Sequence, residues 1–382
     1  MIGSGPELAV ALSSAMRVDV VVEWSPDWTT WYPLRALSGT TTQDRTQSSR
    51  WRLSGDFVAD TPVGLDGIHA LGCRLRSWLE VASLRRSPVR IPYGAYYVTK
   101  ATPGRESISV EGLSYESKVV ASKFAKPRTV PDKAGWSRQV QLERLVTEAV
   151  PDARFRWETP GGAMCPQATV DEDRWQLVDG TSDKVSLLDG LGAALHCDSV
   201  GLFVVAEVPA ISADAVVWSF HQWDVVATAR TLSAADVRNL IVAVGNPQGT
   251  GGASAATIGP VYVYDREPTS LTYAGPDPVN RPELAGRFGV IPERISSPLL
   301  DTEVAAIAAA EVRLRNSLGI PTSLEFDAKL QPGIEAGDVV SVDVDGRPEL
   351  HLIDRIAWKW GSPTMNANTR VQSISSRYGL VR

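Results

Sequence analysis

Cysteine is scarce in this chain of 382 residues. The three present, Cys73, Cys165 and Cys197, form no CxxC, and so few, so dispersed, exclude a disulfide framework. Histidine is nearly as rare: His69, His196, His221 and His351 form neither HExxH nor any other ligand pair, so no metal site is legible. A basic excess is missing too. Lys+Arg total 38 against 44 Asp+Glu, a net charge of −6, which argues against a duplex-binding protein. No run approaches the ~18 apolar residues of a membrane span. The apolar stretch Leu8–Leu12 lacks a preceding positive region, so a short docking helix over residues 1–16 is expected rather than a secretory signal.

Enzyme signatures are absent as well. Gly245–Ser254 is glycine-rich but lacks the Gly-Lys-Ser/Thr of a P-loop, and Ser254 stands at the third glycine position of a dinucleotide fingerprint. It reads as a surface loop. His196 and Cys197 are adjacent, and neighbours on a strand point opposite ways, which argues against joint action. Asp171-Glu172-Asp173 lacks the glycine and closing glutamate of a calcium loop and reads as a solvated turn. No catalytic, cofactor-binding or metal residue is identified, and no enzyme activity is expected.

What is present is a globular composition, 43% hydrophobic and 21% charged, in a length that suits two or three domains of about 150 residues. Tryptophan is plentiful, 12 against 7 Phe, and tryptophan gathers in cores and at interfaces. Period-two alternation predicts strands at Val18–Trp24, Arg50–Ser54, Cys73–Val81, Ala95–Thr99 and Ser107–Glu111. These make residues 17–125 a small antiparallel barrel or sandwich. Lys126–Pro131 breaks the pattern and reads as a linker. Residues 132–232 read as an α/β segment. It has a helix over Val140–Ala149 capped by Ser137, a second at Ser182–Leu195 and a buried strand at Leu202–Val208.

Residues 233–382 return to strands at Val237–Val244, Gly259–Asp265, Leu324–Leu330, Val339–Val344, Leu350–Lys359 and Arg370–Ser375. Pro268–Pro298 has little periodicity and reads as a long ordered loop. Thr302–Leu318 is the clearest helix, with Thr302 as cap and Val304, Ile307, Ala308, Leu314 and Leu318 as the expected buried stripe. There is also a weak internal repeat. Gly72 and Gly337 each precede an alternating strand that leads through a proline-containing turn to a second strand and then a third. The expected fold is mainly β with an α+β insertion. Two small β-barrel domains of similar build are separated by an α/β domain, and an Ala-rich helix accompanies the C-terminal barrel.

The order of motifs in the last third carries a resemblance. An Ala-rich capped helix at 302–318 is followed by the strand Ser323–Ala328, then Leu330-Gln-Pro332, Ile334-Glu-Ala-Gly-Asp-Val-Val340 and a strand with Ile353-Asp-Arg-Ile356. This order resembles the tail-hub proteins of tailed bacteriophages and related contractile machines. The strand Val18–Trp24, the Tyr93–Tyr96 turn and the Leu187–Val208 segment agree in order with the hub's first barrel and inserted domain.

The resemblance implies a structural protein of the virion tail tip or baseplate, assembled in the host cytoplasm as a homotrimer. Its two barrels per subunit would match a sixfold tube to a threefold tip. It implies a tail tube or distal tail ring protein above, and a fibre, spike or tape-measure protein below. DNA would pass through the bore without specific binding, past acidic or neutral strands to which Glu111, Asp338, Asp343 or Asp345 contribute. The chain ends at Arg382 without room for an appended peptidase or muramidase domain, so cell-wall cleavage is not expected of it. The competing readings are a distal tail ring or tube-like protein, and a Trp-rich carbohydrate-binding adhesin module.

Overall fold

The computed structural model describes residues 16–64, 66–83, 86–170, 173–179, 185–207, 210–232, 237–246, 257–318, 322–370 and 378–381. Residues 1–15 of the expected docking helix lie outside this set, as do 247–254 of the glycine-rich loop, Asp171, Glu172 and residues 371–377.

Seven strands come first: β1 (Met16–Ser25), β2 (Tyr32–Leu34), β3 (Ala36–Asp44), β4 (Trp51–Val58), β5 (Arg74–Ser83), β6 (Arg86–Pro103) and β7 (Ser107–Ser114). They pair in the order β2-β1-β5-β6-β7-β4-β3, every pair antiparallel. The middle segment carries a helix at Glu116–Ala121, β8 (Arg128–Val130), a helix at Arg138–Ala149, β9 (Phe155–Trp157), β10 (Ala168–Val170), a helix at Arg174–Val178, β11 (Ala193–Cys197) and β12 (Phe203–Glu207). Then follow β13 (Val216–Phe220), β14 (Val225–Leu232), β15 (Leu240–Gly245), β16 (Ile258–Asp265), β17 (Pro292–Ser297) and the helix Glu303–Leu318. The chain closes with β18 (Thr322–Lys329), β19 (Val339–Val344), β20 (Arg347–Lys359), β21 (Thr364–Arg370) and β22 (Tyr378–Val381). The fold is mainly β, as expected.

The two β modules are separated in sequence but fused in space. The 13-residue β20 is the joint: Arg347–Leu352 pairs with β19, whereas Arg355–Lys359 pairs with Asp44–Thr40 of β3. One 13-stranded sheet results, and one apolar cluster runs through both modules, from Val22, Trp51 and Leu75 to Phe220, Phe326 and Trp358. Tryptophans seal the seam. Trp360 lies over the cross-strand pair Gly39 and Gly55, where a Cβ on either glycine would come within 2.5 Å of the indole. Its Nε1 donates to Thr41 Oγ1 at 3.0 Å. Trp358 meets Tyr93 edge-on, and Trp51 Nε1 donates to the Cys197 carbonyl at 3.1 Å, tying the first module to the middle segment.

The second module draws its sheet from both sides of the long helix. β13 pairs with β19 and β14 with β18, whereas β15, β16 and β17 form a separate four-stranded sheet with β22. The helix Glu303–Leu318 packs on that sheet and on the middle segment, in the cluster that holds Leu142, Leu145, Phe203, Ile241 and Val263. Its expected stripe holds at Leu314 and Leu318 and is corrected in the first two turns. Val304 is 75% exposed, and the buried face is Ala305, Ala306, Ala309, Ala310, Leu314 and Leu318. Small side chains let the helix axis approach the sheet closely, so a larger residue on the same period gains nothing by facing inward. Thr302 caps the helix as expected, its Oγ1 accepting from Ala305 N at 3.1 Å.

Other local expectations divide by how local their cause is. The helix Arg138–Ala149 starts behind Ser137, whose Oγ accepts from Val140 N. No α-helix forms in the described part of 182–195; Asp189–Leu191 is a single 3₁₀ turn, Gly192 adopts φ 70° and β11 begins at once. Gly190 sits against the Arg138 guanidinium, where no side chain fits. The expected linker at 126–131 contains β8, paired with β10. Within 268–298, β17 pairs in parallel with β15. β21 ends at Arg370, and the rest of the strand expected at Arg370–Ser375 lies outside the described residues. Asp173 is a helix cap rather than a solvated turn, since its Oδ1 accepts from Trp175 N and Gln176 N. Met16, at the end of the expected docking helix, belongs to β1.

Candidate functional site

The strand edges that the core leaves open include the two ends of the long path through the large sheet. β14 ends one side of the strand order and β2 the other. Among the described residues β14 pairs only with β18, and Val226 to Thr231 are exposed on both faces. A long edge strand bare on both faces is a template for another chain. The turn that leads into it is stiff. His221 N donates to Asp224 Oδ2 at 3.2 Å, Asp224 N donates to the His221 carbonyl, and Trp223 stacks on His221 with ring centroids 4.9 Å apart. Trp223 is 82% exposed and Val226 71%, so an apolar knob stands beside the open edge.

At the other end, the 26–30 loop is organised by Asp27. Its Oδ1 accepts from Thr30 N and Thr29 N at 2.8 and 2.9 Å, and these donors hold its carboxyl well below the usual range. Trp28 adopts φ 66°, uncommon for a side chain of its size, and donates Nε1 to the Gly72 carbonyl at 2.8 Å. Its ring covers the Arg74 guanidinium at 3.9 Å, with Tyr97 and Tyr115 on other sides of that cation. Tyr32 of β2 is 45% exposed beside Trp24. Among the described tryptophans only Trp28 and Trp223 are exposed, and they belong to different modules. A sugar-binding face of several tryptophans is therefore not what the abundance of this residue builds.

The acidic candidates occupy unlike places. Glu111 of β7 is exposed and paired with Lys100 at 3.4 Å. Asp338 accepts from Glu335 N at 2.8 Å in the turn before β19. Asp343 is half-buried on β19 with one carboxylate oxygen unpartnered, and Asp345 is exposed in the β19–β20 turn at φ 53°. The three cysteines are buried, free thiols, and burial pushes the Cys165 thiol up to about 12. His196 and Cys197 alternate along β11, His196 half-buried and Cys197 buried. Among the described residues there is no metal-holding cluster and no helix long and apolar enough to cross a membrane.

The repeat has a structural counterpart. Gly72 and Gly337 both adopt a left-handed backbone, φ 123° and 98°, immediately before β5 and β19. Each strand then opens an antiparallel three-strand meander, β5-β6-β7 or β19-β20-β21. What sequence reasoning missed is the open β14 edge, because edge position depends on pairing and leaves no local mark.

No protein-family model matches the sequence, and no curated protein does either. Solved structures match over nearly the whole chain. A tail protein from Neisseria meningitidis aligns with a TM-score of 0.60 at 11% identity, covering 94% of this chain and 98% of that one. The 43 kDa tail protein of prophage MuSo2 from Shewanella oneidensis aligns with a TM-score of 0.54 at 14% identity, covering 92% and 98%. This chain has the fold of phage tail proteins. A prophage tail protein from Listeria monocytogenes matches with a TM-score of 0.50 at 11% identity over 93% of this chain and 95% of its own. With so little identity the agreement is one of architecture, and the tail-protein fold accounts for the element order that the sequence displayed.

Proposed function

We propose that this chain is a structural hub of a phage-type tail tip or baseplate, working as a ring of three copies. The observation that carries the reading is the pair of like-built β modules fused through β20, with the outer strand β14 left open. Six similar modules in a threefold ring present a sixfold face to a tail tube and a threefold face to the tip. The tail-protein fold over the full length supports the same role.

A closed ring uses heterologous contacts, in which one face of a subunit meets a different face of the next. The β14 edge with Trp223 and Val226 supplies one such face, and the β1–β2 end with Trp28 and Tyr32 supplies a different one. In this reading the neighbours are a tube or distal ring protein above and a fibre, spike or tape-measure protein below. DNA passes through the bore without being held, with Glu111, Asp343 and Asp345 as the acids available to line it. The chemistry is shape and contact, with no catalytic step.

The deciding measurement is the mass of the full chain, alone and within assembled particles. A threefold complex supports the hub. A sixfold ring supports a distal tail ring protein instead, and a monomer that persists within particles overturns both.

A further inference from the structure

We infer that the acidic cavity where the two β modules meet the middle segment is a binding site for a primary ammonium group, with Asp179 as its counter-ion and Asp189 and Glu116 beside it. The cavity has a volume of about 450 Å³, room for an alkyl chain behind the nitrogen, and seven carboxyl side chains line it against three arginines. Those arginines are already served. Arg45 and Arg370 share Asp354 at 3.0 and 2.6 Å, Arg156 engages Glu158 and Asp198 at 3.0 and 3.5 Å, and Arg50 acts on Glu335. The site shares no residue with the open strand edges of the proposed ring, so it does not rest on that reading.

Three acids on the middle-segment wall lack a counter-ion. Asp179 follows the Arg174–Val178 helix, Asp189 opens the 3₁₀ turn and Glu116 opens the Glu116–Ala121 helix. Among the described residues none of the three is in an ion pair. One backbone amide fixes each carboxylate: Leu195 N donates to Asp179 Oδ1 at 3.1 Å, Ser186 N to Asp189 Oδ2 at 2.6 Å and Cys197 N to Glu116 Oε1 at 2.7 Å. Glu116 is 1% exposed, and its Oε2 is buried without a hydrogen-bond partner. Buried carboxylates are ordinarily paired, because an uncompensated buried charge is strongly unfavourable.

The field at this wall is negative. Burial pushes the Asp179 carboxyl well up; the Leu195 amide opposes that, and the charges of Asp189 and Glu116 add to it. Burial raises Asp189 as well, although Ser186, Arg313 and Arg138 pull it down. The Cys197 thiol beside Glu116 is pushed well up, first by burial and then by Glu116, so it adds no charge. A cation among these groups favours their ionised forms and offsets the repulsion between them. Among the described residues no set of three His, Cys, Asp or Glu is placed to hold a metal ion, which favours an organic cation that brings its own donors. A primary ammonium carries three N–H donors on one compact charge, and its hydrogen bonds to carboxylates are charge-assisted.

The test is calorimetric titration of the full chain at pH 7 with methylammonium chloride, against potassium chloride and tetramethylammonium chloride at matched ionic strength. Methylammonium is expected to bind saturably and to release protons, read as a difference in heat between phosphate and HEPES buffers, because the bound cation lowers the raised carboxyl pKa. Asp179→Asn keeps the oxygen that accepts from Leu195 N and should abolish the binding; Glu116→Gln should weaken it about tenfold. An equal response to potassium, no saturable response to methylammonium, or saturable binding that survives in Asp179→Asn overturns the site. Equal binding of tetramethylammonium, which has the charge but no N–H, or tighter binding of guanidinium overturns the ammonium assignment. Should Asp179→Asn fail to fold, the four salts on the unaltered chain still decide.

Discussion

The Arg74 guanidinium of β5 donates through Nη1 and Nη2 to the two carboxylate oxygens of Asp152, each at 2.5 Å, and so fastens the first β module to the loop after the Arg138–Ala149 helix. Burial works against the Arg74 charge, but Asp152 and the surrounding Tyr97 and Tyr115 outweigh it and raise its proton affinity. The hydrogen bonds from Arg74 hold the Asp152 carboxyl below its usual value. Asp152→Ala strands a buried cation that keeps only its aromatic faces and Tyr97. It should cost about 2 kcal/mol, less than a fully buried pair because Asp152 is partly solvated. Urea unfolding checks the value. Because the folded-state pKa of Asp152 is depressed, the contribution is complete above the unfolded aspartate pKa and disappears as the pH falls through the folded one.

Trp360 over Gly39 and Gly55 predicts a seam that tolerates no side chain. Gly39→Ala should lower stability by about 2 kcal/mol through overpacking. Trp360→Ala should cost about 3 kcal/mol and, if the modules then separate, broaden the unfolding transition. Calorimetry of both variants reads both quantities. A neutral Gly39→Ala would contradict the packing at this joint.

The helix faces give a paired comparison. Ala309→Leu places a large side chain where the buried alanine meets the sheet and should destabilise by about 1–3 kcal/mol. Val304→Glu, at an exposed position in the first helical turn, should be neutral within about 0.5 kcal/mol. Thermal melts of the two variants check the order, which is the reverse of what the hydrophobic period alone implies.

His351 supplies a pH dependence. It is fully buried on β20, its Nδ1 lies 2.9 Å from Thr369 Oγ1, and burial lowers its pKa to about 4 despite Glu349. The unfolded chain takes up this proton near pH 6.5 and the folded chain only near 4, so its contribution to stability falls as the pH drops between them. His351→Gln should flatten that part of the profile of urea midpoint against pH. An unchanged slope would assign the acid sensitivity to other groups.

Much of this molecule is written locally. The alternation in Val18–Trp24 and Val339–Val344, the Ser137 and Thr302 caps, and the glycines before β5 and β19 each act within a few residues, and all were legible. The helix expected at 182–195 failed because Gly190 answers to Arg138, a residue 52 positions away, rather than to its own neighbours. Leu314 and Leu318 of the Ala-rich helix face inward as expected, but Val304 does not, since close approach to a sheet rewards the small side chains of Ala305, Ala306, Ala309 and Ala310.

The sequence by itself determined that this is a mainly β chain with an inserted mixed segment, because side-chain period and backbone conformation are properties of neighbouring residues. Only the tertiary structure decided that β20 joins both modules into one sheet, that β14 lies at its edge and that Trp360 closes over Gly39 and Gly55. Those outcomes depend on which segments meet across hundreds of residues, and pairing at that distance is fixed by the shared core rather than by any local pattern.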